Sequence, residues 1–501
     1  MGRCRQRDRS GEKGCKGVYV MKPRRMLMMG LSTAWALMFG APVLAAQPAP
    51  ASPIAAARAT PDVRAALTTL DALATGRWAA ATHGFDAAMR QGLSSGKLRQ
   101  LWRQLQQQYG AYRGHGAALA APAPRPYQNV LVPLRFNHAT LDMLFSYDAR
   151  GALAGLHLVP APPGGAKSHP VGAVAARLAR QAACLRAQPV AVESTGAMLH
   201  GTLTLPRGGV GPFAAVVLLP GSGPVDENGN APGALGNFMY EQLAYDLTCK
   251  GYAVLRYNKL GVAPSTGNGN DVTLATYVRN TRDLVRWLAR QPAINPHRIV
   301  LMGHSEGGLI ALAAAPGLKI AGVISLEGPG EPMGRIIESQ AIAEAKLRGA
   351  GRAQIAQDRA QINATLAAIR HSHGASLTLT GALKRNPFAR LFAPAAGLLR
   401  SEIDVDPARL ARAISVPMLI TQGGKDVQVR PGNGRRLAHA AARATLARFP
   451  DMTHDLIRCA GQAIACVMPR PGDVLDTHLV ARVVRWLDVL RGQAQGPSGA
   501  S

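Results

Sequence analysis

The residues Gly303-His-Ser-Glu-Gly-Gly308 set a serine among small neighbours, directly after the apolar run 299–302 and at the start of the apolar stretch 306–315. A serine on a tight strand-to-helix turn is held on strained backbone. Glycines two before and two after it let neighbouring chain come close. The start of a helix also offers free N–H groups and a dipole that favour negative charge. A hydroxyl is a weak nucleophile and needs a base. Phe449-Pro-Asp-Met-Thr-His454 supplies an imidazole at a strand end, and Met418-Leu-Ile-Thr-Gln-Gly-Gly-Lys-Asp426 supplies a carboxylate after a strand and a Gly-rich turn. A carboxylate beside an imidazole fixes its tautomer and stabilises the imidazolium. Ser305, Asp426 and His454 are therefore the expected catalytic set for acyl transfer. The competing acids Asp404 and Asp406 precede their strand, and Asp451 is too close in sequence to His454 to reach around its ring. His304 is expected to pack beside the turn, and His439 to lie on a helix surface.

Acyl transfer also needs donors for the tetrahedral oxyanion. The backbone N–H of Glu306 is one expected donor. The apolar run 214–219 ends in Pro220-Gly-Ser-Gly-Pro224, whose glycines free the backbone to turn N–H groups toward substrate. Ser222 N–H is the second expected donor, with Gly221 as runner-up. The chain carries no nucleotide fingerprint and no dense His/Asp cluster of metal-ligand spacing, so no cofactor and no metal is expected.

These residues need a scaffold that ends several strands on one edge. From about Pro189 to residue 492, short apolar runs at 214–219, 253–257, 299–302, 321–326, 418–421 and 444–449 alternate with helical patterns at 238–249, 275–289, 306–315 and 435–442. Continuous apolar strands alternating with helices indicate a mostly parallel sheet buried on both faces. Residues 331–413 break the rhythm. They are Ala-rich and helical in pattern, and are expected to form an insertion that lids the site. Ahead of this α/β unit, residues 60–158 read as a small α+β domain. Helical spacing at 62–75, 85–89 and 98–105 gives way to strand patterns at 128–136, 139–147 and 153–159. The Pro/Gly stretch from 160 to 170 reads as a linker.

The 501 residues exceed one compact core. The composition, 47% hydrophobic and 17% charged, is that of globular material. The formal net charge is +28, of which residues 1–25 carry +7. The remaining excess reads as a solvated Arg-rich surface or, more sharply, as weak attraction to an anionic envelope surface. Nucleic acid is not expected, because no basic run with interleaved aromatics follows residue 25. Met21-Lys-Pro-Arg-Arg25, an uncharged apolar run at 26–44 and small residues at Ala45 and Ala46 make an export signal over residues 1–46, with Met21 the better start. Cleavage is expected to release the mature chain to the periplasm or exterior. In that oxidising space Cys459 and Cys466 either pair, pinning the His454 loop, or remain buried thiols.

Taken together, the motifs resemble the α/β-hydrolase superfamily. More narrowly, they are similar to bacterial secreted esterases in which P-G-S-G-P-x-D-x-x-G-N, Y-D-K-R-G-V-G-x-S and G-H-S-E-G-G follow in order. The first is complete at Pro220–Asn230 and the third at Gly303–Gly308. The second reads Tyr257-Asn-Lys-Leu-Gly-Val-Ala-Pro-Ser265, with Asn258, Leu260 and Ala263 in place of Asp, Arg and Gly. The resemblance implies a carboxylic ester hydrolase acting on small acyl esters through an acyl-enzyme. It also implies that the segment 60–158 matches a small domain of unknown function found ahead of some such enzymes. Other readings stay open: a serine aminopeptidase or amidase using Glu327 and Glu331 near the lid, an acyltransferase, and a non-catalytic envelope-binding protein.

Overall fold

The computed structural model describes residues 63–121, 128–137, 140–160, 172–230, 238–347, 349–461 and 473–493. The expected export segment, both cleavage points and Cys466 lie outside the described residues.

Four helices open the described residues: α1 (Val63–Ala74), α2 (Trp78–His83), α3 (Ala87–Gly92) and α4 (Ser95–Tyr109). Asp86 and Ser94 cap α3 and α4 by accepting from backbone N–H groups three residues on. A five-stranded antiparallel sheet follows: β1 (Tyr112–His115), β2 (Leu119–Ala121), β3 (Gln128–Phe136), β4 (Thr140–Tyr147) and β5 (Leu153–Pro160). Leu70, Leu73, Phe85 and Trp102 of the helical side pack with Val130, Val132 and Phe145 of the sheet in one buried cluster. The short strands β1 and β2 extend the meander expected from the sequence.

Helix α5 (Gly172–Gln181) leads to an eight-stranded sheet made of β6 (Leu185–Ser194), β7 (Ala197–Pro206), β8 (Phe213–Leu219), β9 (Ala253–Tyr257), β10 (Ile294–His304), β11 (Gly322–Leu326), β12 (Met418–Gly423) and β13 (Ala444–Phe449). Its order is β13-β12-β11-β10-β8-β9-β7-β6. Strands β8 to β13 run parallel, while β6 and β7 form an antiparallel hairpin joined to β9. This hairpin begins at Leu185, ahead of the expected start at Pro189. The chain belongs to the expected fold class, an α/β sheet with helices on both faces. On one face lie α7 (Leu274–Ala289) and α8 (Glu306–Ala314). On the other lie α6 (Met239–Thr248) and α15 (Thr477–Gln493). The strands β8, β9 and β11 are buried along nearly their whole length, so they read as apolar runs without alternation.

Between β11 and β12 the chain forms α9 (Met333–Leu347), α10 (Arg352–Arg370), α11 (Pro387–Phe392), α12 (Ala396–Glu402) and α13 (Pro407–Arg412). Ile336, Ile362, Phe392 and Leu399 join these helices to the main core. Helix α14 (Gly432–Ala440) then links β12 to β13. A disulfide joins Cys184 to Cys249 across 65 residues, tying the entry of β6 to the end of α6. No helix of the described residues is long and apolar enough to cross a membrane.

Register decides where the site falls. β8 and β10 pair in parallel out to Leu219 and Gly303. β10 and β11 pair out to His304 and Leu326, and β12 and β13 to Gly423 and Phe449. The carboxyl ends of these strands are level, and the order reverses at β8, which has β9 on one side and β10 on the other. A crevice opens outside such a reversal.

Candidate active site

Ser305 follows β10 with φ 54° and ψ −124° and directly precedes α8. A non-glycine residue in that region costs on the order of 1–3 kcal/mol and persists only where its surroundings enforce it. Here the enforcement is backbone. Ser305 N–H donates to Leu326 O at 2.9 Å and Gly308 N–H to Ser305 O at 2.8 Å. A Cβ on Gly303 would lie 1.9 Å from Gly307 O, and one on Gly307 would lie 2.2 Å from Leu219 O. Both glycines are thus required by contact between the turn and its neighbours.

Gly423 and Gly424 are explained the same way. A Cβ on either would meet the carbonyl of Met452 or Pro450 at 2.3 and 2.4 Å. The loop that carries Asp426 therefore lies backbone to backbone on the loop that carries His454. Asp426 Oδ1 accepts from the N–H groups of Gln428 and Val429, both at 2.8 Å, and its Oδ2 faces His454 Nδ1 at 2.9 Å. With the aspartate ionised, His454 Nδ1–H is the donor and Nε2 is left free to accept a proton. Burial alone would lower the His454 pKa, but the charge and hydrogen bond of Asp426, helped by Asp455, leave it raised above the ordinary 6.5. Asp455 itself is pushed up to about 6, by burial first, with His454 opposing and Asp426 and Asp473 adding to the rise.

The competing acids lie elsewhere. Asp404 is exposed and paired with Arg370, Asp406 caps α13, and Asp451 pairs with Lys425 at 2.9 Å. His439 is exposed on α14. Glu327 and Glu331 do not make the acidic lid pair weighed for an amine substrate. Glu327 is fully buried at φ 51° and accepts from Thr421 Oγ1, Gln422 Nε2 and Gly423 N–H. Burial and the neighbouring Asp426 hold its carboxyl well above the usual range.

On the other side of Ser305 lies the turn after β8. A Cβ on Gly221 would lie 3.3 Å from Ser305 Cβ, which measures how closely the two turns approach. The structure corrects the runner-up donor. Gly221 N–H already donates to Tyr240 Oη at 2.8 Å, so it is committed within the protein. Ser222 and Glu306 N–H groups donate to no backbone acceptor among the described residues. With Ser305, both residues line one small cleft. Met333, Ile336 and Ile337 of α9 and Val429 form its apolar wall, and Gln340 adds a polar group.

His304 is more than packing beside the turn. Its Nε2 bonds His454 O at 2.9 Å and its Nδ1 faces Tyr240 Oη at 3.0 Å. A carbonyl only accepts, so Nε2 carries the proton and Nδ1 accepts from the tyrosine hydroxyl. Burial, then the adjacent His454, depress the His304 pKa to about 3, which keeps the ring neutral. One directed chain therefore runs from Gly221 N–H through Tyr240 and His304 to the carbonyl of His454. Only the letter His304 marks it in the sequence, since Tyr240 is 64 residues away.

The first motif explains itself as a loop. Asp226 Oδ1 accepts from Asn228 and Asn230 N–H groups, at 2.9 and 2.8 Å, across Gly229 at φ 92°. In the altered second motif, Asn258 still bridges two segments. Its Oδ1 accepts from Glu227 N–H at 3.1 Å and its Nδ2 donates to His200 O at 3.1 Å.

The model of the alpha/beta hydrolase family matches residues 216–476, more than half of the chain and the whole crevice. The chain belongs to that family. Residues 66–156 match a second family, described as a protein of unknown function. Among curated proteins, this alpha/beta hydrolase is similar to Esterase EstD of Thermotoga maritima, 25% identical over 296 residues. The match covers 58% of this chain and 65% of the relative, so the chain spans just under two-thirds of that protein's length. Solved structures that it resembles include a Pyrococcus furiosus esterase (14% identity, 66% of this chain and 97% of that one, TM-score 0.40). The proline iminopeptidase of Mycobacterium smegmatis is another (16% identity, 62% and 100% covered, TM-score 0.40).

Proposed function

We propose that the chain is an exported serine esterase that hydrolyses carboxylic esters of small acyl groups, with Ser305 as nucleophile, His454 as base and Asp426 as its partner. The observation that carries this reading is the 2.9 Å pair of Asp426 with His454 Nδ1, on a loop tied through His454 O to His304, the residue before Ser305 on its strained turn. The family membership and the esterase relative support it.

In the first half-reaction His454 Nε2 takes the Ser305 proton as Oγ attacks the ester carbonyl. The carbonyl π pair moves onto oxygen, and the N–H groups of Ser222 and Glu306 receive that charge. The pair returns to re-form the carbonyl, the C–O bond breaks, and the alcohol leaves with the proton from His454. Water then repeats the path on the acyl-enzyme and releases the acid. The apolar wall of Met333, Ile336, Ile337 and Val429 receives the acyl group, and the modest cleft favours small ones. Segment 331–413 serves as the lid, since α9 supplies most of that wall. The small α+β unit expected over 60–158 is proposed to end with β5 at Pro160, and the hydrolase unit expected over 189–492 to begin with β6 at Leu185. The Cys184–Cys249 disulfide supports an oxidising compartment, in keeping with an export segment at residues 1–46 and a periplasmic or extracellular protein. The basic surface supports weak association with an anionic envelope.

Chromogenic esters of graded acyl length, with matched amides, test the reading. Turnover of short esters should fall on the order of 10⁴-fold or more in Ser305→Ala. Equal traces of activity in both proteins would overturn it in favour of a binding protein, and preferential amide turnover would move it to the amidases.

A further inference from the structure

Behind the nucleophile turn lies a buried charged cluster that the proposed mechanism does not use. Lys259, from the second motif, is 1% exposed. Its Nζ donates to Glu306 Oε2 at 2.7 Å and to Gly221 O at 3.0 Å, and sits 4.2 Å from the centroid of the Tyr277 ring. Glu402, at the end of α12, is buried against Glu306 and hydrogen-bonded to it. Burial, and then the Glu306 charge, hold the Glu402 carboxyl well above the usual range. Ions this deep are a poor device for stability, because well-packed apolar residues of the same volume serve as well or better. The placement of this cluster suggests another purpose.

The two acceptors of Lys259 belong to the two residues flanking the oxyanion position. Glu306 supplies one proposed donor N–H from its own backbone. Gly221 O belongs to the same peptide unit as Ser222 N–H, the other proposed donor. That unit is trans, since the cis bonds of the described residues are Gly211-Pro212 and Ala263-Pro264. In a planar trans peptide the C=O and N–H point in opposite directions. A cation at the carbonyl therefore fixes where the N–H points, and it draws electron density from the amide, which strengthens that N–H as a donor. Tyr240 Oη holds the preceding N–H of Gly221 at 2.8 Å, so the turn is pinned on both sides.

We infer that Lys259 is a positioning residue of the oxyanion site, orienting and polarising the Gly221–Ser222 peptide while clamping Glu306 so that both N–H groups face the substrate carbonyl oxygen. The inference rests on the serine-esterase reading and deepens it. Lys259 touches no reacting atom and transfers no proton.

The test compares wild type with Lys259→Met on p-nitrophenyl acetate and on the thionoester in which sulfur replaces the carbonyl oxygen. Sulfur accepts hydrogen bonds poorly, so the thionoester depends little on the donors. With the ester, kcat should fall roughly 10- to 100-fold at nearly constant KM, a part of the ~10²–10³ lost when a donor is deleted outright. With the thionoester the fall should be much smaller, so the preference for oxygen over sulfur collapses. If Lys259→Met does not fold, Lys259→Met/Glu306→Gln, which removes both charges of the pair, carries the same comparison. A parallel fall on both substrates, or no fall, overturns the inference. If wild type turns over the ester, Ser305→Ala abolishes it and the oxygen preference survives in the lysine variant, the inference alone fails. An inactive wild type would remove the esterase reading with it.

Discussion

Replacing Gly307 by alanine tests whether the backbone contact between the nucleophile turn and β8 sets the reaction geometry. The added Cβ would lie 2.2 Å from Leu219 O and 2.8 Å from both Leu219 C and Pro220 O. Carbon and carbonyl oxygen rest at about 3.3 Å or more, so the two segments must part by roughly 1 Å. Neither partner is a flexible side chain. Leu219 ends β8 within the sheet, and Gly307 lies in the first turn of a buried helix. The separation therefore passes to the Gly221-Ser222 turn, which loses its station over Ser305. Overpacking of this kind costs ~1–3 kcal/mol of stability. A misplacement of about 1 Å in a reacting constellation costs ~10²-fold in rate. The assay is kcat per active serine, counted by burst titration, with the melting temperature measured alongside. Gly432→Ala is the control, because nothing lies within 4 Å of a Cβ there. It should keep full activity. A folded Gly307→Ala protein with wild-type kcat would refute the claim that this contact positions the oxyanion turn.

The pH profile provides a further prediction. Activity needs neutral His454, whose folded pKa is raised, so kcat/KM should rise through a midpoint above the ordinary 6.5. Asp426→Asn removes the main raising cause and leaves burial, so the midpoint should move down while the rate drops. The linked stability has the opposite sense: a raised imidazole pKa adds stability below the unfolded value, and that gain is lost as pH climbs through the folded one. A denaturation series over pH in wild type and Asp426→Asn reads it. The Cys184–Cys249 bridge closes a 65-residue loop, which the chain-entropy relation values at about 4 kcal/mol. Cys184→Ser/Cys249→Ser should lower the denaturation midpoint accordingly and leave kcat at 25 °C intact, since neither cysteine lines the cleft.

The catalytic candidates were legible because close backbone contact leaves letters behind. Gly303, Gly307, Gly423 and Gly424 are each demanded by a carbonyl about 2 Å from a would-be Cβ, so the loops announce themselves in sequence. The parallel strands β8 and β11 were equally legible, since burial on both faces makes them nearly uninterrupted apolar runs, whereas β13 is only half-buried and carries Arg448. The β6–β7 hairpin was less so. In β6 only Leu185, Val190, Val192 and Ser194 are buried among exposed neighbours, a pattern too sparse to stand out. What sequence spacing cannot carry is pairing at a distance. Tyr240 with His304, Lys259 with Glu306 and Glu402, and Cys184 with Cys249 meet only once the sheet is assembled. The cysteines at 459 and 466 drew attention by proximity in sequence, with Cys466 outside the described residues, while the Cys184–Cys249 bridge joins positions 65 residues apart that no spacing connects.

The last residue of α12 gives the helical segment between β11 and β12 a significance for how such proteins diversify. In outline the segment invites exchange, because it leaves and rejoins the sheet between two neighbouring strands and borders the substrate cleft. Glu402 makes this one hard to exchange. It delivers a carboxyl into the sealed space beside Glu306 and Lys259, so a transplanted segment ending in an apolar residue would leave Glu306 without that hydrogen-bonding partner. Recombination here is constrained to junctions that conserve an acid at that spot, or that change Lys259 and Glu306 in the same step. A segment that looks interchangeable in outline is thus keyed to its host by a single buried carboxyl.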